Sequence, residues 1–463
     1  MSGFETQSRE SSLSLLEVLQ RPGVQRIFVH DYEAPNVPSL RPSIDALACF
    51  YAERALLMAQ RNDVVVVADQ VDPTFLDYLR ELEIGPTADR ILATRAASEM
   101  PTNGRAADLL TLLGNPCALD RLAERVDPAH QLRLNPYFAS PAFRGIQCRL
   151  EKRLGRLVTL EAGPPAAADR ANRKEQVRCA AKELGVPTAP GEVVSWPETQ
   201  SPPPLAAMSD AVARHRNQTG KVIIRGAWAM RGSDNLTLES ESDMDRLREW
   251  LAQREHLRCY LVESFVPVTA SPNLQMWIER AGPSIQVDLM HTTNQRFNEM
   301  GRHIGNAYPH NTELEPDLRA SAHLLARWLA ANGYIGPVGV DFIETVDRTS
   351  GNTAHLLAEI NGRINGSTYV LALWSRINQV RNERRCAPIN AWISNTNIRV
   401  QNCTFAQLCD RLGNHLYTHA SRRGVVPYNT GLLKHGIMNA VILADSVEES
   451  EDIERDVLGR LSV

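Results

Sequence analysis

Two short stretches decide the fold: VGVDFIE at positions 338–344 and LLAEINGR at positions 356–363. The alternation of residues in both is typical of β-strands. If the stretches are neighbouring antiparallel strands, Glu359 and Asn361 point to the same face, and Asp341 can meet them from the partner strand. Two carboxylates and an amide oxygen would then converge on one point of the sheet.

Such a group of oxygen atoms suits Mg²⁺, which usually takes one or two carboxylates and completes its octahedron with water and substrate phosphates. Arg363, two residues beyond Asn361, could face the same phosphates with its planar fork. The competing interpretation is a half-exposed hairpin whose polar residues merely alternate outward. That interpretation is adequate for one carboxylate, but the combination of Asp, Glu, Asn and Arg favours a metal and phosphate site.

The same residues resemble the metal-binding signature of the ATP-grasp superfamily, in which two Mg²⁺ ions bridge the ATP phosphates. Three further stretches resemble parts of that pattern and follow in the same order. They are NRK at 172–174, which opens a helix ending in GVP at 185–187; the strand and loop at 222–235; and YLVESFV at 260–266.

The resemblance implies ATP as a cofactor, with Mg²⁺ that Mn²⁺ could replace, and it implies a role for each matching residue. Arg363 and Arg225 would be catalytic, and Asp341, Glu359 and Asn361 would bind the metal. The remaining nucleotide contacts would come from Lys174, Arg225, Gly232, Ser233, Glu263 and Val266. Arg225 stands where the family usually has lysine, and the loop at 226–235 holds only two glycines, so both depart from the pattern.

The length of 463 residues predicts about three domains. Strands alternate with helices in the first segment, which predicts a parallel sheet. With the resemblance, the expected fold is an α/β and α+β multidomain one. It would comprise a pre-ATP-grasp α/β domain at 1–165, an ATP-grasp domain at 166–385 and a small C-terminal α+β domain on the substrate side at 386–463.

Local signals predict individual elements within this outline. A helix at about 43–60 is expected between strands at 26–30 and 63–68. The residues at 162–168 are small and rich in breakers, which favours a domain boundary. A helix at 172–184 should follow, because glycine comes directly after it and proline two residues later.

Composition and charge exclude several classes of protein. The 50 Lys and Arg against 54 Asp and Glu leave a net charge of −4, which gives no basic surface for nucleic acid. Neither a membrane segment nor a signal peptide is recognisable, so a cytoplasmic location is expected. The eight cysteines include no Cys-x-x-Cys pair and are expected to be reduced thiols that fill the core.

The leading functional hypothesis is an ATP-dependent carboxylate–amine ligase that acts through an acyl phosphate. Residues 423–436 resemble the C-terminal domain of the pheganomycin-type peptide ligases. This likeness implies an amino-acid-like carboxylate such as a guanidinoacetate derivative, an amino acid or peptide as the amine, and a role in peptide-antibiotic biosynthesis. Substrate contacts are expected from Arg231, Arg302, His303, Tyr428 and Lys434, and a homodimer is one expected assembly.

Two alternatives stay open at this point. An ATP-grasp kinase would transfer the phosphoryl group to a stable acceptor and stop there. A protein that binds nucleotide but has lost catalysis would lack a metal ligand, whereas Asp341, Glu359 and Asn361 are all present.

Overall fold

The structure of the chain, a computed structural model, contains three β-sheets with helices packed against them. It describes residues 14–31, 47, 49–94, 109–197, 205–228, 235–240, 243–254, 257–281, 284–346 and 351–461. Within these ranges, no helix has both the length and the apolar composition that crossing a bilayer requires.

The first sheet is parallel throughout. Its strands are β1 (Val24–Val29), β2 (Val64–Val67), β3 (Ile91–Ala93), β4 (Gln131–Pro136) and β5 (Val158–Leu160), in the order β3-β2-β1-β4-β5. The packed helices are α1 (Leu15–Leu19), α2 (Pro73–Glu81), α3 (Leu109–Leu113), α4 (Pro116–Ala123) and α5 (Pro141–Leu154). All four valines of β2 are buried, as expected for a strand covered on both faces. The predicted parallel sheet is confirmed.

The helix predicted at about 43–60 is a 3₁₀-helix over Cys49–Leu57 in the part that the structure describes. All nine of its residues are buried. It packs against β2, against the helix at 366–383 and against a second short 3₁₀-helix at Thr430–His435. Tertiary contacts on every side therefore override the regular α-helical pattern that the sequence favoured.

Two helices occupy the region where the sequence predicted a boundary and then one helix. They are α6 (Pro165–Asn172) and α7 (Lys174–Leu184), and Arg173 between them is extended, with φ −87° and ψ 109°. Pro165 is well suited to the first turn of a helix, so the breaker-rich stretch begins a helix instead of a loop. The break at Arg173 leaves the Lys174 amide free to donate to the carbonyl of Ala227, 3.0 Å away.

The second sheet has four antiparallel strands in the order β6-β9-β7-β8. These are β6 (Gly191–Ser195), β7 (Val222–Gly226), β8 (Asn235–Leu238) and β9 (Cys259–Ser264). Helices α8 (Leu205–Thr219) and α9 (Met244–Ala252) contribute to the apolar core under the sheet.

The third sheet has eight strands, all antiparallel, and it holds the polar stretches that decide the fold. Its order is β14-β13-β10-β11-β12-β15-β17-β16. The strands are β10 (Pro272–Ala281), β11 (Ser284–Phe297), β12 (His303–Tyr308), β13 (Gly336–Val346), β14 (Thr353–Asn361), β15 (Ala391–Arg399), β16 (Gly424–Tyr428) and β17 (Ile437–Ala444). Its helices are α10 (Glu315–Ala331), α11 (Gly366–Glu383), α12 (Phe405–Leu412) and α13 (Val447–Leu461).

The strands that follow residue 386 continue this third sheet. β15 pairs with β12 through Ala307 opposite Ile393 and Tyr308 opposite Trp392, and β17 and β16 follow beyond it. The C-terminal part is therefore joined to the central part by backbone hydrogen bonds as well as by packing.

The cysteines differ in part from expectation. All eight are free thiols, but Cys117, Cys148, Cys179 and Cys386 are exposed and only Cys49 is buried. The prediction that they fill the core is wrong for the four exposed ones, whose places on helices and turns face outward.

Candidate functional site

The stretches at 338–344 and 356–363 belong to neighbouring antiparallel strands, β13 and β14. Asp341 lies directly opposite Glu359, and Gly339 lies opposite Asn361. A β-bulge follows Asp341, which bends the strand at the carboxylate. The amide nitrogen of Asn361 donates to Oδ2 of Asp341 at 2.7 Å. The predicted convergence of these three side chains is confirmed.

A third strand supports Asp341 from its other side. Asn273 on β10 is opposite Asp341 in the register, and its amide donates to Oδ1 of the carboxylate. The Asn273 oxygen in turn accepts from Gln275 and from the Ser367 hydroxyl. Asp341 is 8% exposed, so these neutral donors hold its carboxylate in place without cancelling its charge.

The electrostatics of the two carboxylates are opposite in direction. Burial, and then the negative charge of Glu359, raise the pKa of Asp341 to about 7. Burial also acts to raise the pKa of Glu359, but the positive charges of Lys174, Arg225 and Arg363 outweigh it and lower that pKa. Glu359 therefore carries the stable negative charge, while Asp341 is a buried carboxyl group that a nearby cation would ionise.

The donor chemistry at this point fits Mg²⁺. Two carboxylates and an amide are hard oxygen donors, and the cation would relieve the repulsion between the acidic groups. The described residues contain no cluster of three or more His, Cys, Asp or Glu side chains that could hold a metal ion, and this site would combine two carboxylates with an amide. Asp341, Glu359 and Asn361 are thus the residues that would hold the ion.

Lys174 lies beside the two carboxylates and lines the adjacent cleft. Its Nζ lies 3.0 Å from Oε2 of Glu359, and the residue is 7% exposed at the start of α7. The extended break at Arg173 aims the first turn of α7 at the strand that carries Glu359. An ammonium group in this place can contact phosphate oxygens that approach the two carboxylates.

Arg225 and Glu263 form a second charged unit beside the cleft. Nε of Arg225 donates to Oε2 of Glu263 at 2.8 Å, and its Nη1 donates to the carbonyl of Ala358 at 3.0 Å. The other oxygen of Glu263 is 2.5 Å from Nη1 of Arg178. Glu263 is 2% exposed, so in this structure its carboxylate holds two arginines in place.

The cleft between these groups has aromatic walls. Phe138 follows β4, Trp228 follows β7, and their rings are edge to face with centroids 6.2 Å apart. Nε1 of Trp228 donates to Asp169 at 2.8 Å, which fixes the indole. The residues that line the cleft are Phe138, Asn172, Lys174, Trp228, Glu359, Ile360, Asn361 and Arg363.

Arg363 is held at the floor of the cleft by the protein backbone and by Asn172. Its backbone amide donates to the carbonyl of Asn361 at 2.8 Å, and its Nη1 donates to Oδ1 of Asn172. Asn172 also donates to the carbonyl of Ala168 at 2.7 Å. The last residue of α6 therefore orients the guanidinium that follows β14.

The predicted substrate residues lie in two other regions. Arg302 and His303 are exposed around the turn between β11 and β12, outside the lining of the cleft. Tyr428 is buried at the end of β16, and Lys434 lines a separate cavity of about 220 Å³. Lys434 lies over the ring of Phe50, 4.6 Å from its centroid. A substrate role for these four residues stays a prediction.

Several predicted contacts fall elsewhere along the chain. Arg231, Gly232 and Ser233 lie outside the residues that the structure describes. Val266 is half-buried two residues after β9, next to Phe265, whose amide donates to the carbonyl of Lys221 at 2.9 Å. Their contacts to a nucleotide stay predictions.

The site also contains residues that the sequence pattern did not indicate. Asn273 is matched with Asp341 only because β10 pairs with β13, a contact between positions far apart in the chain. Arg178 could have been suspected, since it lies four residues after Lys174 on one helix, but its partner Glu263 is on another element. No local signal marks Phe138 or Trp228.

A comparison with protein families finds a match in the N-terminal part of the chain. One family model matches, described as a pre ATP-grasp domain, and it covers residues 52–155. No curated protein sequence matches the chain.

Solved structures of similar fold span almost the whole chain. One is N5-carboxyaminoimidazole ribonucleotide synthetase in its ADP complex, with 15% identity, a TM-score of 0.52, and 94% of this chain and 96% of that chain covered. The N5-carboxyaminoimidazole synthetase from Staphylococcus aureus has 12% identity, a TM-score of 0.53 and coverage of 97% and 99%. Biotin carboxylase from Campylobacter jejuni in a complex with an ATP analogue has 14% identity, a TM-score of 0.54 and coverage of 95% and 91%.

These likenesses show the fold. The chain has a pre-ATP-grasp α/β domain, an ATP-grasp fold and a small C-terminal α+β part. The expected fold class is confirmed.

Proposed function

We propose that the chain is an ATP-dependent carboxylate–amine ligase that releases ADP and phosphate. The observation that carries the proposal is the cleft in which Lys174, Glu359, Asn361 and Arg363 converge within an ATP-grasp fold, with Asp341 opposite Glu359. Similar folds have been solved with ADP or an ATP analogue bound.

The reaction has two steps. A carboxylate oxygen of the first substrate attacks the γ-phosphorus of ATP, the bond to the β–γ bridging oxygen breaks, and an acyl phosphate and ADP result. The nitrogen of the amine then attacks the acyl carbon, phosphate leaves, and the proton lost by the amine goes to solvent or phosphate. The protein must align the reactants and neutralise the charge that spreads over the phosphoryl oxygens.

The residues of the cleft match these demands. Asp341, Glu359 and Asn361 would hold Mg²⁺, which supplies charge neutralisation and a fixed geometry to the phosphates when bound. Lys174 and Arg363 place positive charge at the same point, and Arg225 adds its guanidinium from the neighbouring sheet. Phe138 and Trp228 exclude water from one side, which would protect an acyl phosphate from hydrolysis.

The finer part of the proposal concerns the substrates. An amino-acid-like carboxylate and the amine of an amino acid or peptide are favoured by the likeness of residues 423–436 to the peptide ligases. The cavity beside Lys434 and Thr430 gives that segment room to contact a substrate. A relative of similar fold has been solved with 5-aminoimidazole ribonucleotide, so small-molecule substrates are compatible with the architecture.

The experiment that tests the reaction class measures ADP release over panels of carboxylates and amines, with mass detection of the product. Hydroxylamine added in place of the amine should give a hydroxamate, because it traps an acyl phosphate. ADP release with a stable phosphate ester and no hydroxamate would show a kinase instead. Absence of substrate-dependent ADP release from every pair, while ATP still binds, would contradict catalysis.

A further inference from the structure

The 3₁₀-helix at Cys49–Leu57 contains a buried arginine without a counter-ion among the described residues. Arg54 is 7% exposed, its Nε is buried without a hydrogen-bond partner, and no described carboxylate forms an ion pair with it. The adjacent Glu53 is committed elsewhere, because its oxygens accept from Thr430 and Gly431 at 2.6 to 3.0 Å. Within the described part of the chain, no ion pair therefore balances the positive charge of Arg54.

The recorded contacts of the Arg54 guanidinium are with two aromatic rings. Its guanidinium carbon lies 4.2 Å from the ring centroid of Tyr51 and 5.9 Å from that of Tyr369. The Tyr369 hydroxyl is 2.9 Å from Nδ1 of His30, whose pKa is lowered to about 4, mainly by burial, so the imidazole is neutral. Two ring faces lie near the guanidinium, and among the described residues no carboxylate forms an ion pair with it.

A second unpartnered polar group lies in the same interface. Asn429 is 0% exposed, and both polar atoms of its side chain lack hydrogen-bond partners among the described residues. Its backbone has φ of 56°, in the left-handed region, which asparagine adopts more readily than most residues other than glycine. It stands between Tyr428, whose hydroxyl feels the charge of Arg54, and Thr430, which binds Glu53.

Burying a guanidinium or an amide without partners costs free energy that a folded protein normally avoids. Buried groups that break this rule are candidates for binding a ligand that supplies the missing partner. A carboxylate or a phosphate would balance the charge of the Arg54 guanidinium and accept hydrogen bonds from it.

The place of Arg54 relates it to the catalytic cleft. Tyr369 is on the first turn of α11, and the helix begins three residues after Arg363. The chain between Arg363 and Tyr369 spans at most about 15 Å, from the lengths of extended and helical residues. About four residues of extended peptide cover that distance.

We propose that Arg54 is the charged centre of an anion site for the carboxylate or phosphate group of the amine substrate. The site rests on the proposed ligase function: the anionic end is held at Arg54 while the amine reaches the cleft at Lys174 and Arg363. Arg54 then selects acceptors that carry an anionic group, from a single amino acid to a short peptide.

The first test needs no substrate. Melting temperatures are measured with sodium acetate or inorganic phosphate against sodium chloride of equal ionic strength. Mg²⁺ and a non-hydrolysable ATP analogue are present throughout, to occupy the cleft. We expect one of the two anions to raise the melting temperature of the wild type, and Arg54→Met to weaken the apparent affinity at least tenfold. The anion that acts shows whether the ligand group is a carboxylate or a phosphate.

The variants also separate a binding role from a structural one. Without added anion, Arg54→Met should melt at or above the wild-type temperature, because it removes an uncompensated buried charge. The matched control is Arg26→Met, since Arg26 is also buried but is paired with Glu161. Arg26→Met should melt lower and keep the anion effect, and Arg54→Lys should restore part of that effect.

Two results would overturn the proposal: an equal anion effect in Arg54→Met and the wild type, or no effect of either anion on the wild type. Once an amine substrate is known, Arg54→Met should raise its KM at least tenfold and leave the KM for ATP unchanged. Capping the anionic group of that substrate should have the same effect on the wild type. If ligation is never found but the anion effect depends on Arg54, the ligase proposal fails while the binding site stands.

Discussion

At the scale of single residues, Glu359 is where the acidic and basic halves of the cleft meet. It faces Asp341 across the strand pair and contacts Lys174 at 3.0 Å. Its lowered pKa keeps it ionised at neutral pH, while that of Asp341 is raised. The charge on Glu359 is therefore available both to a metal ion and to Lys174.

Replacing this charge should stop the chemistry without unfolding the protein. Glu359→Gln is expected to lower kcat for ADP release by about 100-fold or more, since an amide cannot supply the negative charge of a metal-bridging ligand. The melting temperature should change little, because the side chain is partly exposed in the cleft. Glu239→Gln, at an exposed carboxylate paired with Lys221, is the control, and near-normal turnover in Glu359→Gln would refute the metal assignment.

Arg225 allows a second prediction, because the resemblance of residues 222–235 to the ATP-grasp pattern implies a lysine at its position. Arg225→Lys keeps the charge but cannot hold both Glu263 and the carbonyl of Ala358 as the guanidinium does. We expect the KM for ATP to rise about tenfold, and Arg225→Met to have a larger effect. Steady-state kinetics with ATP varied checks this, and equal KM values in all three proteins would exclude a phosphate role.

At this scale the sequence predicted what short-range patterns determine. The period of two along each strand places Glu359 and Asn361 on one face, and that relation needs no knowledge of the rest of the fold. Asn273 and the pair of Glu263 with Arg178 could not be predicted, because their partners are far away in the chain. The surroundings of Arg54 could not be predicted either. The sequence does not indicate that the carboxylate of the adjacent Glu53 accepts hydrogen bonds from Thr430 and Gly431.

At the scale of elements, the pairing of β12 with β15 joins the central and C-terminal strands of the large sheet. Gly305 on β12 approaches the backbone carbonyl of Ser394 on β15 so closely that a Cβ atom would collide with it. The neighbouring amide of Asn306 donates to the Ser394 hydroxyl at 2.9 Å. The absence of a side chain at Gly305 is thus a condition for the strands to meet.

Gly305→Ala should weaken this junction. Because the obstacle is backbone and cannot rotate away, we expect a loss of about 2 kcal/mol or more in the free energy of unfolding. Gly459→Ala is the matched control, because that glycine is inside α13 with open space around its Cβ position, and it should be neutral or slightly stabilising. Denaturant titration of both variants tests the difference, and equal stabilities would contradict it.

Elements were predictable where caps and periodicity agree with tertiary packing. Helix α2 begins after Asp72, whose Oδ1 accepts from the Thr74 amide, and Pro73 is in its first turn; this Asp-Pro pair is a helix-start signal that the sequence itself contains. The single helix expected at 172–184 is divided at Arg173, since the Lys174 amide finds a better partner in Ala227. The 3₁₀ geometry at Cys49–Leu57 depends on three packing partners that the local sequence does not contain.

At the scale of the whole molecule, His30 connects the first sheet to the third through its two ring nitrogens. It is 2.9 Å from Asn135 on β4 and 2.9 Å from the Tyr369 hydroxyl on α11. Burial lowers its pKa from 6.5 to about 4. The folded protein thus keeps His30 neutral where the unfolded chain would protonate it.

This difference predicts a loss of stability in acid. The contribution of neutral, buried His30 to the free energy of unfolding is fully present above about pH 6.5. It is lost as the pH falls to about 4, and the loss amounts to up to about 3 kcal/mol. Asp63 acts in the opposite direction, because its pKa is raised to about 6. We therefore compare the wild type with His30→Gln by denaturant titration across this range: the variant should lose less stability on acidification, and parallel curves would contradict the role of His30.

The continuous third sheet also limits how the chain can be shortened. A chain cut after residue 385 would lose β15, β16 and β17 and leave the backbone groups of β12 unpaired at a new edge. Unpaired edges of this kind recruit strands from other molecules and promote aggregation. Swapping the C-terminal part between proteins of similar fold would for the same reason require a compatible β12, so the C-terminal strands and the central strands of this sheet are constrained to change together.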